Sequence, residues 1–229
     1  MDIQTTSLTQ QTLFEVEEIK PAQIELFPAV WRVTERLSAP EAAMRLDSLE
    51  RLSAMNAPRV SPLVAYMIAT RLTDPDLQVR FSVVRILGEI LVPDKEGYTS
   101  HPDVRRHLSA QLSRMRRRSI FALLEVAVTH AEAEEHVVRL LNLCPFAGNS
   151  LASILADRTL PLSIRRQAVH FLGEVGYLDA IPALERLLIR LQSRLSGQRK
   201  MPFAPVADPD EEAVLLPEIQ GVLRLLRAS

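Results

Sequence analysis

The stretch DPDLQVRFSVVRILGEIL, residues 74–91, sets a pattern that the rest of the chain repeats. It opens with Asp74, Pro75 and Asp76, a helix-start signal because proline fixes a turn and carboxylates favour the positive end of the helix dipole. The apolar residues that follow fall along one side of a helix: Val79, Val83, Ile86, Leu87 and Ile90. The stretch therefore predicts an amphipathic helix with one buried face.

The same pattern returns 85 residues later, in IRRQAVHFLGEV at residues 164–175, where Gly173-Glu174 repeats Gly88-Glu89. That offset is close to twice a unit of about 40 residues, the length of a repeat built from helix pairs. A weaker copy of the apolar stripe begins at Met115, 36 residues after the first. These spacings indicate internal repeats.

The remaining apolar periodicity is also helical, and no window alternates with period two for long enough to require a strand. The chain is therefore predicted to be all-α, with about ten helices and no β-sheet. We expect kinks at Pro28 and Pro217 and a break at residues 145–149. The predicted helices cover residues 21–37, 41–55, 58–72, 74–91, 103–115, 116–130, 132–144, 150–157, 161–175, 179–195 and 211–227.

Composition favours one folded domain in a reducing compartment. The chain has 229 residues, 47% of them hydrophobic, and a net charge of −1, which recommends neither nucleic acid nor a membrane surface as a partner. Its single cysteine, Cys144, cannot form an internal disulfide, and no apolar run approaches the roughly 18 residues of a membrane span. Residues 1–20 lack the features of a signal peptide, so we expect a cytoplasmic protein.

The chain divides into a tail and a domain. Residues 1–20 are polar and acidic and are predicted to be a flexible N-terminal tail. Residues 21–229 are predicted to form one domain of about five helix pairs. Glycine, proline and charge mark two exposed loops within it, at residues 93–102 and 196–207.

No catalytic or metal-binding constellation is found in the sequence. His101 and His107 are six residues apart, as are His130 and His136, which places the members of each pair about 240° apart around a helix. The seven glycines are not clustered, so there is no phosphate-binding loop. We therefore expect no enzymatic activity, no metal and no cofactor.

The repeated motifs resemble HEAT repeats, in particular the bacterial HEAT-like type found also in phycobilin lyases. The resemblance is carried by Asp-Pro-x-x-x-Val-Arg at residues 74–80, by Leu-Gly-Glu-Ile at 87–90 and by Leu-Gly-Glu-Val at 172–175. It implies an α-solenoid, a curved right-handed stack of antiparallel helix pairs whose second helices line the concave face. It also implies a structural ladder of residues that link neighbouring units or let them approach closely: Asp74, Arg80, Gly88, Arg165 and Gly173. Arg45 stands in an earlier helix where Arg80 stands in the central one.

Such a stack favours a non-catalytic scaffold or adaptor that binds a protein partner on the face formed by the second helices. The polar positions predicted to bind it are Gln78, Ser82, Arg85, Arg166 and His170. One alternative is nucleic-acid binding through a basic cluster at Arg105, Arg106, Arg114, Arg117 and Arg118, although we expect this cluster to pair with Glu132, Glu134 and Glu135. A second alternative is a phycobilin-lyase-like protein, for which no residue specifically indicates a bilin.

Overall fold

A computed structural model of the chain describes residues 21–198 and 209–228, and within them the side chains of residues 28–196 and 213–228. The predicted tail at 1–20 and nearly all of the predicted loop at 196–207 lie outside the described residues. Within the described residues the all-α prediction is confirmed, because they contain twelve α-helices and no strand. The helices are α1 (Pro21–Glu35), α2 (Ala42–Ala54), α3 (Ala57–Val60), α4 (Pro62–Ala69), α5 (Leu77–Ile90), α6 (Pro102–Leu112), α7 (Arg117–Thr129), α8 (Glu134–Asn142), α9 (Ala147–Ala156), α10 (Leu162–Val175), α11 (Ile181–Gln198) and α12 (Pro209–Ala228).

The helix starts follow the local chemistry of the sequence. Asp76 is the N-cap of α5, and its Oδ1 accepts a hydrogen bond from the Val79 amide at 3.0 Å. The predicted helix at 58–72 is instead divided into α3 and α4. Pro62 keeps Ser61 out of the helical region, at φ −111° and ψ 113°, and the Ser61 hydroxyl caps α4 by accepting from the Val64 amide.

The prolines at 28 and 217 do not end their helices. Both α1 and α12 continue through them. The break expected at 145–149 is only partly present, because α9 already begins at Ala147. Gly148 is a packing residue there, since a Cβ at this position would lie 2.5 Å from Asp179 Oδ1 and 2.8 Å from Tyr177 Cβ.

The core is one continuous apolar cluster that runs from α1 to α12. The predicted stripe of α5 is confirmed, because all five of its residues are at most 3% exposed. α7 is central: it packs against α5, α8, α9 and α10. Every extensive contact between described helices joins elements no more than three helices apart along the chain.

The residues predicted to form the structural ladder lie at the junctions between helices. Asp74 is buried and accepts from Arg45 Nη2 at 2.7 Å, which links α2 to the turn before α5. Arg80 donates to the Asp74 carbonyl at 3.0 Å and reaches Glu125 of α7 at 3.3 Å. Arg165 is 2% exposed and donates to a carbonyl at the end of α9 at 2.9 Å. These contacts satisfy backbone acceptors where helices end.

Hydrogen bonds from Arg59 and Ser100 hold the connection between α5 and α6 in place. Arg59 of α3 donates to the carbonyls of Glu89 at 2.7 Å and Val92 at 3.0 Å, and to the Ser100 hydroxyl at 3.2 Å. Ser100 in turn donates to the Ile90 carbonyl at 2.6 Å. The loop is exposed as predicted at 95–99, but Ser100 is buried because it completes this network.

Of the helices that the structure describes, none is long and apolar enough to cross a membrane.

Candidate binding groove

The structure separates the five residues predicted to bind a partner. Arg166 and His170 are exposed on α10 and line one groove, whereas Gln78 and Arg85 are exposed on α5 outside it. The prediction that Ser82 is exposed is wrong, since its side chain is 9% accessible. α5 packs against α2, α7 and α8. A helix with neighbours on several sides has a narrower exposed face than a helix that packs on one side, and Ser82 is therefore buried.

The groove that contains Arg166 and His170 has a volume of about 750 Å³ and is called here the α10 groove. Its floor is α10, one wall is the end of α7 with the start of α8, and the other wall is α12. The lining residues are Ala127, Val128, Ala131, Glu134, Ser163, Arg166, Gln167, Val169, His170, Glu218, Gly221, Val222 and Leu225. The groove is an open channel between three layers of helix.

Two contacts fix the polar side chains of the groove. Arg166 forms an ion pair with Glu218 of α12, with its Nε and Nη2 at 2.8 Å and 2.7 Å from Oε1. His170 Nε2 lies 2.5 Å from Oε1 of Glu134 at the start of α8. Both contacts are partly exposed, so they contribute little to stability. Each of the two carboxylates that line the groove is therefore held by a side chain of α10.

Apolar side chains remain open to solvent on both walls. Val128 on the α7 wall is 39% exposed, and Leu225 on the α12 wall is 64% exposed. Gly221 also lines the groove on α12, and a Cβ built there would meet nothing within 4 Å, so the α12 wall is open at this point. Exposed apolar edges beside a polar floor are features of a surface that another molecule covers.

The histidines and the cysteine make local contacts instead of forming a reactive cluster. No group of three or more metal-ligating side chains occurs in the part of the chain that the structure describes. His130 stacks on Phe81 with ring centroids 4.3 Å apart. Burial raises the pKa of the Cys144 thiol, and desolvation lowers the pKa of His136. A thiol with a raised pKa is a weak nucleophile at neutral pH.

The basic cluster is only partly neutralised. Arg106 pairs with Asp103 at 2.7 Å, and Arg117 pairs with Asp157 at 2.6 Å. Hydrogen bonds from Thr159 and Arg117 lower the pKa of Asp157 to about 2. The other three arginines of the cluster are exposed, and none has a carboxylate partner among the described residues: Arg105, Arg114 and Arg118.

The expected pairing of this cluster with the acidic residues at 132–135 is wrong. Glu132 faces His130, Glu134 binds His170, and Glu135 binds Arg139. The reason is geometric, because Arg114, Arg117 and Arg118 lie at the beginning of α7 and Arg105 and Arg106 lie on α6, whereas those carboxylates follow the end of α7.

A second groove, the α9–α11 groove, was not anticipated from the sequence. Its volume is about 620 Å³ and it is lined by Asn149, Ala152, Ser153, Ala156, Ala183, Arg186, Ile189 and Arg190. The sequence feature that could have indicated this groove is a pair of arginines four residues apart on α11. This feature is weak evidence, because such spacing also describes an ordinary solvated helix face.

Comparison with known proteins assigns no family: no family model, no curated protein and no solved structure matches the chain. The likeness to HEAT repeats therefore rests on the residues quoted above.

Proposed function

We propose that this chain is a cytoplasmic, non-enzymatic scaffold or adaptor built as a HEAT-like α-solenoid, and that it binds a protein segment in the α10 groove. The local pattern of helix contacts supports the stacked arrangement, because a stack of repeats joins each unit mainly to its neighbours. The buried pair between Arg45 and Asp74 supports it further, since it links one helix pair to the next.

The observation that carries the proposed binding site is the composition of the α10 groove. Val128 on the α7 wall and Leu225 on the α12 wall keep apolar surface exposed, and the floor carries polar side chains that are held by Glu134 and Glu218. A partner segment would bury the apolar walls, and hydrogen bonds to the polar floor would fix its orientation. The groove is open along its length, which suits an extended or helical segment better than a small molecule that needs to be enclosed.

Filling the groove tests this site directly. Gly221→Trp would add a large ring to the α12 wall of the groove, at a position where the Cβ itself meets nothing within 4 Å. Val214→Trp is the matched control, because it adds the same ring at an exposed position of α12 outside the groove. Peptides are selected on the parent protein from a random library displayed on phage, and their affinities for the three proteins are compared.

We expect the selected peptides to bind the Val214 variant like the parent and the Gly221 variant at least about tenfold more weakly. Equal binding to all three proteins would place the recognition surface elsewhere. A selection that yields no specific peptide would count against a peptide-binding function altogether.

The nucleic-acid alternative keeps one supporting observation, the exposed arginines at 105, 114 and 118. Their number is small and the chain carries a net charge of −1, so electrostatic attraction to a duplex should be modest and salt-sensitive. We expect no submicromolar binding to random-sequence duplex DNA at roughly physiological salt. Tight binding that Arg114→Glu and Arg118→Glu abolish would replace the protein-binding proposal.

A further inference from the structure

We propose that the α9–α11 groove is a second docking surface, and that its occupant is an acidic segment of a partner protein that also carries apolar side chains. This surface is separate from the α10 groove and the two share no lining residue.

The shape of the groove suits a polypeptide. Small side chains form its bed, Ala152 and Ala156 from α9 and Ala183 from α11. A bed of alanines leaves room for a backbone or a short side chain to approach closely. At its edge Ile189 is 62% exposed, which offers an apolar contact to a partner.

The charge of the groove is positive and uncompensated. Arg186 and Arg190 are both exposed, and no aspartate or glutamate lines the groove. Each arginine uses its Nε to donate to a helix carbonyl, Arg186 to Pro182 at 3.1 Å and Arg190 to Arg186 at 3.4 Å. The terminal nitrogens of both guanidinium groups reach no carboxylate of the described residues.

Two carboxylates near the ends of the groove are already engaged. Asp179 accepts from Asn149 Nδ2 at 3.2 Å at one end of the groove. Asp157 directly follows α9 at the other end and is held by Arg117. No carboxylate in the described part of the chain therefore neutralises Arg186 and Arg190, and a carboxylate from outside can bind them through paired hydrogen bonds.

One end of the groove lies near the beginning of α7. Because Arg117 binds Asp157, the beginning of α7 lies against the end of α9. The two arginines of the groove could also attract nucleic acid, but the lining contains no aromatic side chain on which bases could stack, whereas it does contain exposed apolar surface.

The test uses two fluorescein-labelled peptides with leucines at the same helical spacing and with either glutamate or lysine at the polar positions. Fluorescence anisotropy gives their affinities for the parent and for Arg186→Glu, Arg190→Glu. The control is Arg32→Glu, Arg224→Glu, which makes the same change in charge at two exposed arginines with the same Nε-to-carbonyl bond. Circular dichroism verifies that each variant is folded.

We expect the glutamate peptide to bind the parent at least about tenfold more tightly than the lysine peptide, with an affinity that falls as salt is added. The Arg186 and Arg190 variant should lose that preference and the control should keep it. Replacing the leucines with serine should weaken binding, because the alanine bed and Ile189 then remain uncovered.

Two results would overturn the proposal. One is a glutamate peptide that fails to bind the parent, or binds the Arg186 and Arg190 variant as tightly. The other is tighter binding of single-stranded oligothymidylate than of the glutamate peptide, with the oligonucleotide losing affinity in the same variant. That outcome would assign the surface to nucleic acid.

Discussion

At the scale of single residues, the glycines of the helices have opposite roles. A Cβ on Gly88 would lie 2.5 Å from His136 Nδ1 and 2.7 Å from His136 Cβ, so the absence of a side chain lets α5 and α8 approach closely. A Cβ on Gly221 would meet nothing within 4 Å. At that position glycine only costs backbone entropy in the helix.

Alanine substitutions at these two positions should therefore change the free energy of unfolding in opposite directions. Gly221→Ala should raise it by about 0.5–1 kcal/mol, the usual difference in helix propensity. Gly88→Ala should lower it by about 1–3 kcal/mol, because the added methyl group forces α5 and α8 apart. Urea denaturation at constant m-value measures both, and a stabilising effect at Gly88 would show that this helix contact is looser than described.

His136 should make stability depend on pH. Desolvation lowers its pKa from the ordinary value of 6.5, and Arg139 lowers it further, while Glu89 and Glu135 oppose the shift and Arg85 adds to it. The unfolded chain then binds a proton more readily than the folded one. The associated stability is fully present above pH 6.5 and declines as the pH falls through the lowered folded-state pKa.

His136→Gln should accordingly lose less stability than the parent between neutral pH and mildly acidic pH. His107→Gln is the control, because His107 is exposed and its only side-chain hydrogen bond among the described residues is to the Asp103 carbonyl of its own helix. Melting temperatures at the two pH values measure the effect. A parent and a His136 variant with the same pH dependence would show that His136 does not contribute.

Some features of single residues could be predicted from the sequence, whereas others depend on residues that are distant in the chain. The repeated Gly-Glu pairs predicted a close helix approach, and a Cβ on Gly173 would indeed lie 3.1 Å from Val222 Cγ2. The burial of Ser82 was not predictable from its own helix, because it depends on how many neighbours surround α5. Arg166 and His170 could be assigned to an exposed face from periodicity, but their partners Glu218 and Glu134 are 52 and 36 residues away.

At the scale of elements, the end of α5 depends on a side chain from another helix. Arg59 and Ser100 together donate to the carbonyls of Glu89, Ile90 and Val92, of which Glu89 also accepts from the Val92 amide at 3.3 Å. Nothing in the local sequence marks this arrangement, because Arg59 precedes the two carbonyls that it binds by 30 and 33 residues.

Arg59→Ala should lower the free energy of unfolding by about 1–3 kcal/mol, since the Glu89 and Val92 carbonyls and the Ser100 hydroxyl lose their bonds to the guanidinium group at once. Arg51→Ala is the matched control. Arg51 is exposed and pairs only with Asp47 on its own helix, so its loss should cost less than about 0.5 kcal/mol. Equal effects of the two substitutions would mean that water replaces Arg59 without cost.

Some helix boundaries are likewise determined by neighbouring residues, and others by residues that are distant in the sequence. The start of α5 at Asp76 and the apolar stripe were predictable because both are properties of neighbouring residues. The division of the predicted helix at 58–72 could have been recognised from Pro62, because a proline keeps the preceding residue, Ser61, out of the helical region. The early start of α9 was not predictable, because Gly148 serves a contact with Asp179 and Tyr177.

At the scale of the whole molecule, the short range of the helix contacts should give the chain regions of independent stability. α12 contacts α10 and α11 extensively, whereas α2 and α5 contact each other near the opposite end of the chain. In a stack of repeats, stability is close to a sum over units and their nearest-neighbour interfaces. A substitution that destabilises α12 should therefore lower the stability of α12 and its neighbours and have little effect on distant helices.

Leu223→Ala tests this expectation, because Leu223 is 3% exposed and its truncation should cost about 2–5 kcal/mol. Native-state hydrogen exchange should accelerate in α11 and α12 and change little in α2 and α5. Leu49→Ala in α2, which removes a side chain that is 0% exposed, should give the reverse distribution. Equal acceleration throughout the chain in both variants would indicate one cooperative unit and argue against the stack.

The limited reach of these contacts also bears on how the chain folds as it is synthesised. Contacts that are close in sequence require only short loops to close, and such topologies fold quickly. α2 can dock on α5 as soon as residue 90 has been made, and α5 finds its last extensive partner, α8, by residue 142. The N-terminal half can therefore bury its apolar faces on a growing polypeptide while α9 to α12 are still untranslated, which shortens the time during which its core is open to aggregation.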